Sequence, residues 1–303
     1  MNAVTFTEYG GPEVLRVADV AEPHAGPGQV RVAVRAAGVN PIDWKVRSGM
    51  LREMMPASFP VIDGREAAGV VDEVGGGVGD VTLGDEVFGF AVGGAAAEYA
   101  VLDLVARKPA ALSWEEAAAL PVASETSVRV FTVLGGPGEG QTIVINGAAG
   151  GVGAVAVQIA RARGARVIGT AGEGNHEFLR TLGAEPTTYG DGLAERVRAL
   201  APDGVDFAFD TAGRGAIPDL IQLTGDPARV ATIADFGAAA LGVKVTGGGD
   251  FRAVDALAEA AGLIEAGRLR VVVAQTFPFS RAADAHRLSE DGHVRGKLLL
   301  VPD

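Results

Sequence analysis

One short segment restricts what this chain can fold into more than any other. Gly147-Ala148-Ala149-Gly150-Gly151-Val152-Gly153 follows the β-branched run Ile143-Val144-Ile145 and opens an Ala- and Val-rich stretch with no charge before Arg161. A strand, a glycine turn and an apolar helix in immediate succession bury their surfaces best when the helix lies on a parallel sheet. The glycines suit a dinucleotide: Gly150 lets backbone approach a pyrophosphate, Gly153 lets the helix pack on the sheet, and first-turn N–H groups face the anion. Ala148 stands at the first glycine position of that pattern. The uncharged window between Glu139 and Arg161 also has the length of a membrane span, but five glycines with Asn146 and Gln158 interrupt it. A strand, a turn and a buried helix account for it better.

From Thr142 onward the pattern alternates. Strands are predicted at 142–146, 166–170, 187–189, 205–210, 229–233 and 243–246, with helices at 151–163, 175–182, 193–200 and 217–223. This rhythm implies a parallel sheet covered on both faces. The first 120 residues read instead as short β elements, at 30–34, 69–74, 86–90 and 97–101, broken by turns such as Gly10-Gly11-Pro12 and Gly26-Pro27-Gly28. A predicted helix at 251–266, strand at 269–274, helix at 281–288 and strand at 297–301 do not extend the alternation. The expected organisation is a mostly-β domain over 1–122, an inserted nucleotide-type domain over 123–249, and a return to the first domain over 250–303.

Composition narrows the chemistry. The net charge of −12 repels nucleic acid and anionic lipid, and the absence of cysteine excludes thiolate nucleophiles, iron–sulfur clusters and sulfur-ligated zinc. His24, His176, His286 and His293 are scattered without ligand spacing, so no metal is expected. Residues 1–11 carry neither a basic segment nor an apolar core, and a cytoplasmic address is expected.

The end of the second strand of the alternating region decides between the two nicotinamide dinucleotides. A carboxylate there would bind the ribose 2′-hydroxyl and repel a 2′-phosphate. The sequence has Ile168-Gly169-Thr170-Ala171-Gly172, with none. The next helix carries His176 and Arg180 four residues apart, on one face, where they can share a phosphate. The expected cofactor is NADPH, with Glu173 as the opposing feature.

These residues are recognisable together with others. The chain resembles the zinc-free quinone oxidoreductase branch of the medium-chain dehydrogenase/reductase superfamily along essentially its whole length. The resemblance is carried by Ala37-Gly38-Val39-Asn40-Pro41-Ile42-Asp43, Gly64-Arg65-Glu66-Ala67-Ala68-Gly69, Gly84-Asp85-Glu86-Val87-Phe88-Gly89, Ala119-Leu120-Pro121 with Thr126, and Gly292-His293-Val294-Arg295-Gly296-Lys297. It implies an α/β protein: a Rossmann doubly wound parallel sheet inserted into a discontinuous, mostly-β, GroES-like domain. It also implies that Asn40 stands where zinc-dependent relatives place a thiolate, and that it bonds near the nicotinamide ribose or the substrate oxygen. By the same resemblance Thr126 touches the nicotinamide side. Ala149, Gly150, Gly151 and Val152 cradle the pyrophosphate, Thr170 and Gly172 line the adenosine ribose, Tyr189 flanks the adenine half, and Lys297 reaches cofactor or substrate. An Asx-type turn for Asn40, a helix cap for Thr126 and a core aromatic for Tyr189 are the competing readings.

Relatives that reduce alkenes often carry a Tyr shortly after the Asn-Pro segment as proton donor, whereas this chain has Ser48-Gly49-Met50-Leu51. A quinone accepts hydride without that help, because the hydroquinone anion takes its proton from solvent. Neither Tyr99 nor Asp43 is expected to replace the phenol. The expected activity is NADPH-dependent, zinc-independent hydride transfer to quinones or similar conjugated carbonyls; the alternatives are an enoyl or alkenal C=C reductase and an NADPH-binding sensor without turnover. Leu51, among Met50, Met54, Met55 and Phe59, and Trp44 are candidates to line an apolar acceptor, with ordinary packing as the competing reading. The strand at 243–246 is expected at a sheet edge, where pairing gives a homodimer.

Overall fold

The computed structural model describes residues 1–247 and 251–303. They form two compact units, Ala123–Arg270 and Met1–Val122 with Val271–Asp303.

In the Ala123–Arg270 unit, six parallel strands run in the spatial order Glu185–Thr187, Arg166–Thr170, Thr142–Asn146, Phe207–Asp210, Val230–Thr232, Lys244–Val245. This is the doubly wound order: the chain starts in the middle and moves outward in both directions. Ile143, Val144 and Ile145 are fully buried because helices cover both faces of a parallel sheet, which is why the strand is a continuous apolar run. Val144, Ile168, Ala208, Leu220 and Val230 lie in the core on one side. The 139–161 window resolves into the strand Thr142–Asn146 and the helix Gly151–Ala162.

Several elements differ from expectation. The third strand is Glu185–Thr187 rather than 187–189. Its register is fixed by the two-pronged Arg166–Glu185 ion pair and by Ala171 N–H donating to the Thr187 carbonyl, so Tyr189 falls beyond the ladder. The helix expected at 251–266 is Ala256–Glu265. The Ala253 N–H is taken by the Glu125 carboxylate, which holds the preceding segment out of the helix. The strand expected at 269–274 is Val273–Pro278, because the Gln158 side chain occupies both backbone groups of Arg270. The expected junction at 249/250 lies outside the described residues, and the compact unit continues to Arg270.

In the other unit, a six-stranded sheet runs Val273–Pro278, Lys297–Val301, Val30–Val39, Glu66–Val74, Glu86–Val92, Tyr99–Arg107. Val30–Val39 pairs with Glu66–Val74 and also, through Val30 to Ala33, with Tyr99–Arg107, which closes the last four strands into a barrel. Glycine permits a close strand approach here: a Cβ on Gly69 would stand 2.3 Å from the Ala33 carbonyl oxygen. A separate sheet joins Arg16–Asp19, Asn2–Phe6 and Val61–Ile62. Two helical signals went unread in the sequence. Ser113 and Glu116 form a capping box for Trp114–Ala118, and Pro121 opens the helix that runs to Leu134. The stretch Trp114–Leu134 is long and apolar enough to cross a membrane, but 83% of its apolar window is buried in the protein, as in a core helix.

Candidate active site

The glycine loop sits between the Thr142–Asn146 strand and the helix Gly151–Ala162, with Gly150 as its cap. Gly147 adopts φ +78°, the left-handed conformation that opens the turn. A Cβ on Gly153 would come within 2.3 Å of the Gly147 carbonyl oxygen, so only glycine lets the helix start so close to the strand. Gly151, Val152 and Gly153 are the first three helical residues, and their N–H groups have no acceptor within the helix. Together with the dipole they form a ready anion cradle.

A buried network beneath the loop holds it in place. Asn146 Nδ2 donates to Asp210 Oδ1 at 2.8 Å, Thr170 Oγ1 donates to Asn146 Oδ1 at 2.6 Å, and Gly147 N–H donates to Thr170 Oγ1 at 3.1 Å. Asp210, with no exposed surface, also accepts from Ala212 N–H, Gly213 N–H and Thr232 Oγ1. One carboxylate thereby ties together the ends of four neighbouring strands, and sequence reasoning missed both it and Asn146. Their one signal was position: each polar residue closes an apolar strand.

Thr170, Gly172, His176 and Tyr189 gather at the end of the second strand. Tyr189 Oη lies 3.9 Å from where a Gly172 Cβ would stand, and His176 Nε2 is 3.3 Å from the Ala171 carbonyl. Tyr189 is 51% exposed, which removes the reading as a core aromatic. Arg180 is not poised beside His176: its guanidinium turns to Glu177 at 3.2 Å. Thr126 is in the body of the Pro121–Leu134 helix rather than at its cap, and its hydroxyl accepts from Arg129, whose guanidinium also binds Glu125 and Thr246.

In the barrel-bearing unit, Asn40, Glu66 and Lys297 come together where three strand ends meet. Asn40 Nδ2 donates to Glu66 Oε1 at 2.7 Å, and the Lys297 ammonium donates to both Asn40 Oδ1 and Glu66 Oε1. The second Glu66 oxygen accepts from the Val122 N–H at 2.7 Å. All three side chains are buried. Gly38 makes room for them, since a Cβ there would strike the Glu66 carboxylate at 2.2 Å. Glu66 is a member of this buried cluster to which the sequence assigned no role.

Asn40 also caps the helix Pro41–Arg47, and its N–H donates to Asp43 Oδ2 at 2.7 Å. Burial, then the neighbouring Asp63 charge, push the Asp43 carboxyl up to about 7 against the opposing Arg65. Asp63 pairs with His286 at 2.8 Å, both buried. Burial works against both charges, yet their mutual attraction outweighs it and leaves Asp63 lowered and His286 raised. Trp44 is half-buried with its indole N–H inside and without a hydrogen-bond partner among the described residues, and Leu51 is buried in the turn that follows the helix.

Residues 26–109 match the alcohol dehydrogenase GroES-like domain family, and residues 182–300 match a family described as zinc-binding dehydrogenase. The donors here do not fit a zinc ion. The chain has no cysteine, among the described residues no group of three or more His, Asp or Glu side chains could hold a metal, and the Lys297 ammonium already bonds the oxygens of Asn40 and Glu66. A chloroplastic quinone-oxidoreductase homolog of Spinacia oleracea is 31% identical over 100% of this chain and 98% of its own length. The NADPH-dependent alkenal/one oxidoreductase of Arabidopsis thaliana is 33% identical over 100% of this chain and 80% of its own. A mycobacterial protein solved in complex with NADPH superposes with a TM-score of 0.86 at 28% identity, covering 100% of both chains. With this fold, this glycine loop and full-length likeness above 30%, the chain is an oxidoreductase enzyme and belongs to the quinone oxidoreductase branch of the medium-chain dehydrogenase/reductase superfamily.

Proposed function

We propose that this enzyme binds NADPH and reduces quinones or similar conjugated carbonyl compounds without a metal. The observation that carries the reading is the anion cradle at Gly151–Gly153, together with a second strand that ends in Ala171-Gly172 rather than a carboxylate. Bound there, the dinucleotide supplies the hydride. Ala149, Gly150, Gly151 and Val152 would hold its pyrophosphate, Thr170 and Gly172 its adenosine ribose, and His176 and Tyr189 its 2′-phosphate and adenine end. Asn40 and Thr126 are assigned to the nicotinamide side. Lys297, engaged by Asn40 and Glu66, acts on that side by orienting the Asn40 carboxamide. Trp44 and Leu51 are assigned to the apolar acceptor.

No phenol follows the Asn40-Pro41 segment, and Asp43 is turned inward to the Asn40 N–H, so the proton on the reduced quinone comes from solvent. The likeness to an alkenal/one oxidoreductase favours one second reading, reduction of the C=C bond of enones. The enzyme is assigned to the cytoplasm as a homodimer.

Following NADPH absorbance with matched panels of quinones and enones separates these readings. Turnover with quinones is the expected result, and turnover with enones alone would establish the second reading. Tight NADPH binding with no oxidation by either panel would leave a sensor.

A further inference from the structure

The Ala123–Arg270 unit carries a concentration of positive charge that the glycine loop does not use. Arg161, Arg268 and Arg270 border a cleft of about 340 Å³, with the buried Leu182 and Leu269 in its lining. The chain is acidic overall, at net −12, and nearby arginines are neutralised: Arg163 by Glu259, Arg166 by Glu185 and Arg180 by Glu177. The three at the cleft bind no carboxylate among the described residues. Each is instead steadied by one neutral acceptor: Arg161 donates to the Ala165 carbonyl at 2.9 Å, Arg268 to the Ala162 carbonyl at 2.7 Å, and Arg270 to the Thr181 hydroxyl.

Closing off the C-terminus of the Gly151–Ala162 helix accounts for part of this, since cations are favoured there. It uses one N–H from each guanidinium and leaves the other donors of the three forks without an acceptor among the described residues. The wall is also fixed. Gln158, itself buried, donates to the Arg270 carbonyl at 3.0 Å and accepts from the Arg270 N–H at 2.9 Å. Glu185 feels the Arg161 charge, but its two oxygens are engaged by Arg166. Arg161 lies ten residues along the helix from Gly151, about 15 Å at 1.5 Å per residue, so the cleft is separate from the glycine loop.

We propose that this cleft is a second anion site, built for a phosphate-bearing ligand with at least two negative charges, such as a diphosphate. Guanidinium forks match phosphate oxygens in a two-point geometry, and the apolar lining accepts a non-polar group attached to the anion. Inorganic pyrophosphate and ADP share the required chemistry and are the probes.

The test is calorimetric titration of each probe into protein saturated with NADPH, with NADPH fluorescence followed to show that the glycine loop stays filled. The expected result is one saturable site that weakens at least about tenfold in R268S/R270S and weakens with added salt, while R180S leaves it unchanged. Binding of both probes assigns the site to the diphosphate itself, and binding of ADP alone assigns it to a nucleotide. Absence of saturable binding by either probe overturns the proposal, as does an affinity unchanged in R268S/R270S. Should that variant fail to fold, R161S replaces it with the same expected loss and the same overturning result.

Discussion

Lys297 and Glu66 form an ion pair in which the lysine side chain is 6% exposed and the carboxylate not at all. Their shared neighbour is the Asn40 carboxamide, whose oxygen faces the ammonium and whose nitrogen faces the carboxylate. The pair therefore fixes which way the amide points.

Lys297→Met strands the Glu66 carboxylate in the interior, at a cost of about 3–5 kcal/mol of folding stability. Glu66→Gln combined with Lys297→Met recovers part of that loss, because no buried charge is left alone. Urea unfolding of the two single variants and the double variant measures the coupling; additive losses would show that the pair does not act as a unit.

Gly150 and Gly153 separate ligand binding from folding. Gly153→Ala drives a methyl into the Gly147 carbonyl at 2.3 Å, so both thermal stability and NADPH affinity fall. Gly150→Ala meets its nearest atom at 3.4 Å and leaves stability within about 1 kcal/mol. If Gly150 lies against the pyrophosphate, its NADPH dissociation constant nonetheless rises at least about tenfold. Fluorescence titration beside a thermal melt reads both.

Cofactor choice is expected to respond to a single carboxylate. A side chain at Gly172 has room: among the described residues, its chain neighbours aside, Tyr189 Oη at 3.9 Å is the one contact within 4 Å. Gly172→Asp should therefore fold normally while repelling the 2′-phosphate and attracting the 2′-hydroxyl. The ratio of Michaelis constants for NADH and NADPH should favour NADPH by more than about tenfold in the parent and fall by at least that factor in the variant.

Stability should depend on pH through Asp43, Asp63 and His286, with Arg65 and Arg47 facing them. His286 is raised, so its contribution is complete below 6.5 and lost as pH climbs through its folded value. Asp43 is raised to about 7, so what its protonated form adds below 3.8 fades between 3.8 and 7. Asp63 is lowered, so its contribution is present above 3.8 and lost as acid protonates it. Melting temperature is expected to fall on both the acid and the alkaline side. His286→Gln should lower stability at neutral pH and flatten the alkaline limb above 6.5, and a parallel unchanged limb would remove His286 from the account.

Lys244–Val245 is the edge strand of its sheet, held by two residue pairs to Val230–Thr232. Pairing of this edge between copies would cover it. Light scattering should give twice the 30.8 kDa chain mass, and Val245→Pro should shift the value toward one chain.

The sequence by itself determined the alternating half: the strand at Ile143–Ile145, the glycine turn and the helix after it are signalled by neighbours within a few residues, since period, β-branching and glycine act locally. It also placed Asn40 and Lys297 among the site residues, but not what they do together. That was decided by the tertiary structure, because the Asn40–Glu66–Lys297 cluster joins residues 26 and 231 or more positions apart through the register of three strands. The same holds for Asp210 with Asn146 and for Asp63 with His286, whose burial and pairing no local pattern encodes. The misplaced elements have the same origin. At Ala253 and Arg270 a distant side chain, Glu125 or Gln158, claims backbone groups that local propensity had given to a helix or a strand.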